Sequence, residues 1–370
     1  MRIGFDVSAL RAPHGGVGTY TANLLQQLRR FPQDEVVPLV QSSVRVPFGR
    51  GRRGERRLQV NKTLWMQTLL PWQLAQAGAD VCHFTNNVAA CWTPCPSVVT
   101  IHDTTLWLFP GYHPRRRVLA MRPLIPVGAR RAKAVIAVSA TTKRDLVRTL
   151  GVPEHKIHVI YEAPAPHFQR LPAADATLAA VRQRYRLDGP FILYVGTIEP
   201  RKNLRRLFEA FALLRRCGFD SHDLLLVGNR GWHDADVLAS NERLGLRGAV
   251  RVLGYAPNDD LVALYNLAEA LAFPSLYEGF GLPVVEAMAC GTPVVTSPNG
   301  SLGEIVGEAA ELVDPTQVEG IAAGLRRVLS DRQRHAELQA AGLRRAAEFS
   351  WAGAAEQTRR VYQAAVAAAC

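Results

Sequence analysis

Two glutamates lie eight residues apart in the segment PSLYEGFGLPVVEAMACGTP, residues 274–293. Glu278 falls in a loop, and Glu286 falls in the first turn of a helix that Pro283 is placed to start. A carboxylate in that position can accept hydrogen bonds from both hydroxyls of a ribose. The alternative is that Glu286 only complements the helix dipole.

The backbone between the two glutamates can itself bind an anion. Glycines let a ligand approach the chain closely, and free amides at a helix N-terminus favour a phosphate. The residues that would offer such contacts to a diphosphate or a sugar are Gly279, Phe280, Gly281 and Leu282. Two acids, two glycines and a proline in one short segment favour a ligand site over an ordinary turn.

A second loop, GTIEPRKN at residues 196–203, follows a predicted strand at Phe191–Val195 and precedes a helix. Ligands bind at the carboxyl ends of strands in open parallel sheets. Arg201 and Lys202 can there neutralise a diphosphate leaving group. The alternative is that Arg201 and Lys202 are solvated surface charges with no role in binding. The residues alone leave both interpretations open.

A third loop carries Gly15, Gly16 and Gly18 after the first predicted strand and opens a helix at Thr19. Such a turn can admit a phosphate at the helix N-terminus, or it can be only a flexible connection. The Gly-x-Gly-x-x-Gly spacing of a dinucleotide site is absent from both halves of the chain, which disfavours a nicotinamide oxidoreductase.

The elements that must position these loops alternate between short apolar strands and amphipathic helices. Strands are predicted at residues 3–7, 36–40, 81–85, 98–101, 134–138, 158–160, 191–195, 224–228, 250–253, 271–273, 294–296 and 310–313. Helices include residues 19–30, 204–216, 261–268 and 351–369. Six strands on each side of a break at Pro164, Pro166 and Pro172 predict an α/β fold of two doubly wound parallel-sheet domains.

The charge is divided unequally along the chain of 370 residues. The net charge is +12, with +13 in residues 1–165 and −1 in the remainder. One half is therefore expected to meet an anionic partner. Two basic stretches stand out: Arg50, Arg52, Arg53, Arg56 and Arg57 in a predicted Gly-rich loop, and residues 115–117.

Several classes of protein are excluded by composition. No apolar stretch reaches the roughly 18–20 residues of a membrane span, and the start shows no signal-peptide core. The six cysteines lack metal or disulfide spacing, which predicts free thiols in the cytoplasm.

Together, the Glu278-to-Glu286 segment, the EPRKN loop and the GGVGTY loop resemble the retaining glycosyltransferases of family 4, which have the GT-B fold. The resemblance covers nearly the whole chain, and the sequences of these motifs are most similar to those of bacterial O-antigen and exopolysaccharide mannosyltransferases. It implies two Rossmann-like domains facing a cleft. Residues 1–168 would bind the acceptor, residues 169–350 would bind the nucleotide-sugar donor, and residues 351–370 would pack back on the first domain.

The resemblance also implies roles for individual residues. Glu286 would bind the donor ribose and Glu278 the transferred sugar, while Arg201 and Lys202 would stabilise the diphosphate. His102, at the end of a strand, matches the active-site histidine of the family. The donor phosphates would lie under Gly15, Gly16 and Gly18, and the nucleotide base would lie near Tyr255. At Thr197, many relatives carry an arginine instead.

The expected activity is hexosyl transfer that retains the anomeric configuration, with mannose from GDP-mannose as the first choice and a hexose from a UDP donor as the alternative. No cofactor and no metal are expected, because Asp234 and Asp236 fit a helix start. The expected acceptor is a glycan or a lipid-diphosphate-linked sugar, at the cytoplasmic membrane face if the basic half meets an anionic surface. Aromatic residues such as Trp65, Trp72 and Trp107 would then either dip into that surface or belong to the core and the acceptor cleft.

Two alternatives of another class are left: a basic nucleic-acid-binding protein on a Rossmann-like scaffold, and a nucleotide-sugar-binding protein without activity. The first explains the charge but not the two glutamates and the strand-end loops, so no nucleic acid is expected as a partner. The second conflicts with the presence of Glu278, Glu286, Arg201, Lys202 and His102.

Overall fold

Two parallel β-sheets, one from each half of the chain, form the framework of the protein in a computed structural model. The structure describes residues 1–11, 15–41, 43–47, 55–59, 62–231 and 234–369. The strands of the first half are β1 (Arg2–Asp6), β2 (Glu35–Leu39), β3 (Ser43–Pro47), β4 (Glu55–Gln59), β5 (Val81–Phe84), β6 (Ser97–Ile101), β7 (Ala134–Ala137) and β8 (Ile157–Val159). Those of the second half are β9 (Phe191–Val195), β10 (Asp223–Val227), β11 (Val250–Gly254), β12 (Ala270–Phe273), β13 (Val294–Thr296) and β14 (Glu311–Leu312).

The two sheets have related strand orders, β2-β1-β5-β6-β7-β8 and β11-β10-β9-β12-β13-β14. Their strand pairs are parallel. Strands β6, β7 and β9 are buried along their whole length, as expected where helices cover both faces of a parallel sheet. In each sheet the direction of the strand order reverses next to the first strand of that half, β1 or β9. Ligands bind at such switch points in parallel sheets.

Helices cover the faces of both sheets. In the first half they are α1 (Gly16–Leu28), α2 (Lys62–Ala77), α3 (Thr105–Leu108), α4 (Arg115–Arg131) and α5 (Ala140–Leu150). The second half has α6 (Ala176–Tyr185), α7 (Leu204–Arg216), α8 (Asp234–Arg243), α9 (Asn258–Leu267), α10 (Leu282–Ala289), α11 (Leu302–Val306), α12 (Val318–Ser330), α13 (Arg332–Ala346) and α14 (Trp351–Ala367). None of the described helices is long and apolar enough to cross a lipid bilayer.

The expected α/β architecture is confirmed. Each of the twelve predicted strands is present, and their ends differ from the prediction by no more than one residue. The prediction of a Gly-rich loop across the first basic stretch was wrong at Arg56 and Arg57, which lie in β4 and pair with β3 in an antiparallel hairpin. Arg50, Arg52 and Arg53 lie outside the described residues.

The last helix, α14, returns to the first half and packs on the first sheet. Its Tyr362 hydroxyl lies 2.5 Å from Nδ1 of His83 on β5, and its Arg359 pairs with Asp34 at 2.5 Å. Ser350 caps the helix by accepting a hydrogen bond from the Gly353 amide at 3.1 Å. The C-terminal crossing expected of this fold is therefore present.

Candidate active site

A cleft of about 910 Å³ lies between the two halves, at the carboxyl ends of their strands. The structure brings all fourteen of the predicted site residues to the walls of this one cavity. They are Gly15, Gly16, Gly18, His102, Thr197, Arg201, Lys202, Tyr255, Glu278, Gly279, Phe280, Gly281, Leu282 and Glu286. Residues from both halves of the chain thus line a single site.

A buried cluster of opposite charges lies on the wall formed by the second half, between the loops after β9 and β12. Lys202 Nζ lies 2.6 Å from Glu278 Oε1, and Arg201 Nη1 lies 3.0 Å from Glu278 Oε2. The hydroxyl of Ser275 donates a further hydrogen bond of 2.6 Å to Oε1. Burial raises the pKa of Glu278, but the charges of Arg201 and Lys202 outweigh it and hold the pKa at about 2.

Arg201 also pairs with a second buried carboxylate that sequence reasoning did not identify. Its Nη2 lies 2.6 Å from Oε1 of Glu199, which is 3% exposed. Burial lowers the pKa of Arg201, but the charges of Glu278 and Glu199 raise it above the usual range. Glu199 could have been identified from the sequence because it is the first residue of the EPRKN loop that carries Arg201 and Lys202.

Glu286 faces the same cavity without a cationic partner among the described residues. Tyr265 donates a hydrogen bond of 3.0 Å to its Oε2, while burial raises the pKa of Glu286 to about 7. The expectation that Glu286 lies in the first turn was wrong. Gly281 caps the helix at φ 103°, α10 begins at Leu282, and Glu286 falls in the second turn.

Two helix N-termini point into the cleft from opposite halves. Gly15 and Gly281 are the N-cap residues of α1 and α10, and no described side chain caps either helix. The first amides of each helix have no acceptor within the helix, and in α10 the free set ends at Val284, whose amide donates to the Gly281 carbonyl oxygen at 2.9 Å. A Cβ built on Gly16 would lie 3.8 Å from Leu282 Cδ1, so the two ends are neighbours. Together they form a site suited to an anion.

His102 lies at the end of β6, but its ring is fully engaged. Nδ1 lies 2.9 Å from Oε1 of Glu162, and Nε2 lies 2.9 Å from the carbonyl oxygen of Thr85. Burial lowers the pKa of His102, but the hydrogen bond and the charge of Glu162 outweigh this and raise it. Sequence reasoning missed Glu162, which lies in the segment after β8.

The two halves touch directly behind this histidine. A Cβ built on Gly279 would lie 1.7 Å from the carbonyl oxygen of His102, so this contact requires glycine. Further along, the Glu304 carboxylate accepts hydrogen bonds from the amides of Ala140 and Thr141 at 2.7 and 2.9 Å. It thereby caps α5 across the gap between the halves.

The remaining predicted residues lie at the rim of the site or outside it. Thr197 accepts a hydrogen bond of 3.1 Å at its carbonyl from the Tyr194 hydroxyl, and Tyr255 is 46% exposed at the mouth of the cleft. Helix α8 begins at Asp234, as expected, and Asp236 lies 4.0 Å from Arg205. The described residues contain no group of three acids, histidines or cysteines arranged to hold a metal ion.

Comparisons with known proteins agree with this architecture. A family profile described as "Glycosyl transferases group 1" matches residues 180–345, and one described as "Glycosyltransferase Family 4" matches residues 14–163. The O-antigen chain mannosyltransferase B of Escherichia coli is 38% identical over 72% of this chain and 70% of that protein.

Solved structures share the fold over nearly the whole chain. Sucrose-phosphate synthase from Thermosynechococcus elongatus has a TM-score of 0.79 at 21% identity and covers 100% of both chains. Anabaena HepE in complex with UDP-glucose has a TM-score of 0.77 at 19% identity, over 98% of this chain and 100% of that one. The chain belongs to the group 1 glycosyl transferases, glycosyltransferase family 4, and is a glycosyltransferase of the GT-B fold.

Proposed function

We propose that the protein transfers mannose from GDP-mannose to a glycan or lipid-diphosphate-linked acceptor during synthesis of a cell-surface polysaccharide. Transfer retains the anomeric configuration and needs no metal ion. The observation that carries the proposal is a cleft in which Arg201, Lys202 and two uncapped helix N-termini meet beside Glu278 and Glu286.

The donor diphosphate would bind where these positive groups converge. Arg201 and Lys202 are already balanced by Glu199 and Glu278, so the diphosphate brings negative charge that the pairs alone do not offset. The N-termini of α1 and α10 supply the additional positive potential. A metal ion is not needed for this role, since fixed cations and dipoles can stabilise a leaving diphosphate.

The sugar and the ribose would lie on either side of the diphosphate. Glu286 accepts hydrogen bonds from the ribose hydroxyls in its ionised form, while Glu278 and the backbone from Gly279 to Gly281 contact the transferred hexose. Tyr255, partly exposed at the mouth, is positioned to contact the base. Residues 1–168 then hold the acceptor, and residues 169–350 hold the donor.

Retention follows from the lack of a suitable nucleophile among these groups. Glu278 is a weakly basic carboxylate that already accepts from Arg201, Lys202 and Ser275, and Glu286 is assigned to the ribose. We infer that the acceptor hydroxyl attacks the same face that the diphosphate leaves. The bond from C1 to the diphosphate oxygen breaks, the acceptor oxygen bonds to C1, and the acceptor proton passes to the departing diphosphate.

Mannose is favoured over other hexoses by the E. coli relative, which is named a mannosyltransferase. A UDP-hexose is the alternative, because the HepE structure is a complex with UDP-glucose. Thermal unfolding with GDP, UDP, ADP or dTDP, each in the presence of EDTA, separates the two. A ligand that binds only the folded state raises the melting temperature by mass action.

We expect GDP to raise the melting temperature and the other nucleotides to raise it less. A rise with UDP alone would replace GDP-mannose by the alternative donor. No rise with any nucleotide would contradict the donor site, and an oligonucleotide added in its place would then test the nucleic-acid alternative.

The basic first half is proposed to work at an anionic membrane surface. Trp72, Trp92 and Leu119 are 61%, 66% and 77% exposed, whereas Trp65 is fully buried in the core. Each basic residue near an anionic surface contributes about 1 kcal/mol. Co-sedimentation with phosphatidylglycerol vesicles, lost at high salt and absent with phosphatidylcholine, is expected; equal sedimentation with both would contradict the proposal.

A further inference from the structure

The pair formed by Glu162 and His102 is buried and lies beside the contact between the two halves. Glu162 is 4% exposed and His102 is 9% exposed. Glu162 lies between β8 and the second half, in the segment that connects the two sheets, whereas His102 ends β6. A hydrogen bond of 2.9 Å therefore ties the connecting segment to the carboxyl end of β6, an inner strand of the first sheet.

The protonation of the ring follows from its partners. The Thr85 carbonyl oxygen can only accept, so Nε2 of His102 must carry a hydrogen. A carboxylate also only accepts, so Nδ1 carries a hydrogen as well when Glu162 is ionised. His102 is then an imidazolium paired with a carboxylate, and neither nitrogen is left to donate to a substrate.

The effect of this pair is to fix the backbone at the strand end. The amide of His102 donates a hydrogen bond of 2.7 Å to Oδ1 of Asn87, and the ring is held at both nitrogens. The His102 carbonyl can then point only towards Gly279, against which it packs with no room for a Cβ. Glu162 thus helps to fix where the first half contacts the loop after β12 (here called the donor loop), at Gly279.

We propose that Glu162 is a positioning residue for glycosyl transfer, which holds His102 and the backbone behind it where the first half meets the donor loop at Gly279. This inference rests on the proposed function. Glu162 does not touch the substrate in this account; it acts through His102. Asp103, the next residue, and His83 on β5 are ionisable groups that face this ring, and Tyr20 of α1 packs edge-on against it at 4.8 Å between ring centroids. Glu286 of α10 interacts electrostatically with Glu162.

The test compares the whole protein with Glu162→Gln, Glu162→Asp and a control, Glu154→Gln, whose carboxylate forms an exposed pair with Lys143. Nitrogen-15 spectra of the imidazole rings, assigned with His102→Asn, report protonation without any activity assay. We expect both nitrogens of His102 to be protonated at neutral pH in the wild type and only one in Glu162→Gln.

In donor turnover, Glu162→Gln should lower kcat by about 10- to 100-fold, the range caused by small misplacements near reacting groups. At pH 8, where Glu286 is ionised with or without the nearby charge of Glu162, the dissociation constant for GDP should stay unchanged. Glu162→Asp should restore part of kcat, and the control should match the wild type. The remaining kcat of Glu162→Gln should fall as pH rises, because without Glu162 the burial of the ring lowers the pKa of His102 and the ring loses its second proton more readily.

A singly protonated His102 in the wild type would overturn the proposal. An unchanged kcat in a folded Glu162→Gln variant whose ring has lost its second proton would also overturn it, while leaving the proposed function intact. If wild-type protein turns over no donor, the proposed function fails instead, and the spectra still decide whether Glu162 holds the charged ring.

Discussion

Lys202 Nζ lies 2.6 Å from Oε1 of Glu278, and this bond joins the loop after β9 to the loop after β12. Two motifs 76 residues apart in the chain therefore form one charged cluster. The carboxylate is buried, so its ionisation depends on Lys202 and its neighbour Arg201. The buried charges of Glu278, Arg201 and Lys202 therefore stabilise one another in the absence of a ligand.

Replacing Glu278 by Gln should destabilise the protein, because Arg201 and Lys202 would lose a buried counter-charge. Breaking a buried pair costs about 3–5 kcal/mol, which chemical unfolding would measure. Glu154→Gln is the control, since an exposed pair contributes about 1 kcal/mol or less. An equal, small effect in both variants would contradict the assigned role of the cluster.

The same group predicts how stability changes in acid. The pKa of Glu278 is lowered from 4.5 to about 2, so its contribution is present above pH 4.5 and is lost as pH falls towards 2. The corresponding free energy of unfolding is about 3 kcal/mol. Unfolding curves measured between these pH values should converge for wild type and Glu278→Gln; parallel curves would contradict the prediction.

Glu286 should behave in the opposite way. Its pKa is raised from 4.5 to about 7, so the stability associated with its neutral form is lost as pH rises between these values. Glu286→Gln should therefore be more stable than wild type at pH 8 in the absence of donor, as thermal unfolding would measure.

Donor binding should follow the ionised form of Glu286. GDP affinity of the wild type should increase as pH rises through about 7, and calorimetric titration of Glu286→Gln should show weaker binding without that pH dependence. A variant that binds GDP as tightly as wild type at pH 8 would remove Glu286 from the ribose site.

Lys202→Met should mainly slow turnover, because charge develops on the diphosphate in the transition state and the lysine stabilises it there. Glu286→Ala should instead mainly weaken donor binding. Steady-state kinetics with GDP-mannose separates kcat from KM in the two variants. Wild-type rates in both would contradict the site assignment.

Gly279→Ala should keep the halves apart, since the added Cβ would lie 1.7 Å from the His102 carbonyl oxygen. GDP binding should persist while turnover is lost, and small-angle scattering should report a larger radius of gyration. Gly111→Ala is the control, because no atom lies within 4 Å of a Cβ built there. Full activity in Gly279→Ala would show that this contact is not needed for transfer.

The sheets were predictable because buried parallel strands leave short, continuous apolar runs in the sequence. Glu278, Glu286 and the neighbouring glycines were recognisable from local spacing. The β3–β4 hairpin was missed because β4 has a single apolar residue, Leu58, beside Arg56 and Arg57, so that strand leaves no apolar alternation in the sequence. Glu162 was missed for another reason: its partner lies 60 residues away. The two residues follow β8 and β6 of the same sheet, and a pair formed between the ends of two strands leaves no local pattern in the sequence.

The most direct test of this account is turnover of GDP-mannose in EDTA with a mannose-terminated acceptor, followed by proton NMR of the product. The account predicts release of GDP and a new glycosidic bond with the same anomeric configuration as the donor. An inverted product, or activity that appears only when a divalent metal is restored, would contradict it.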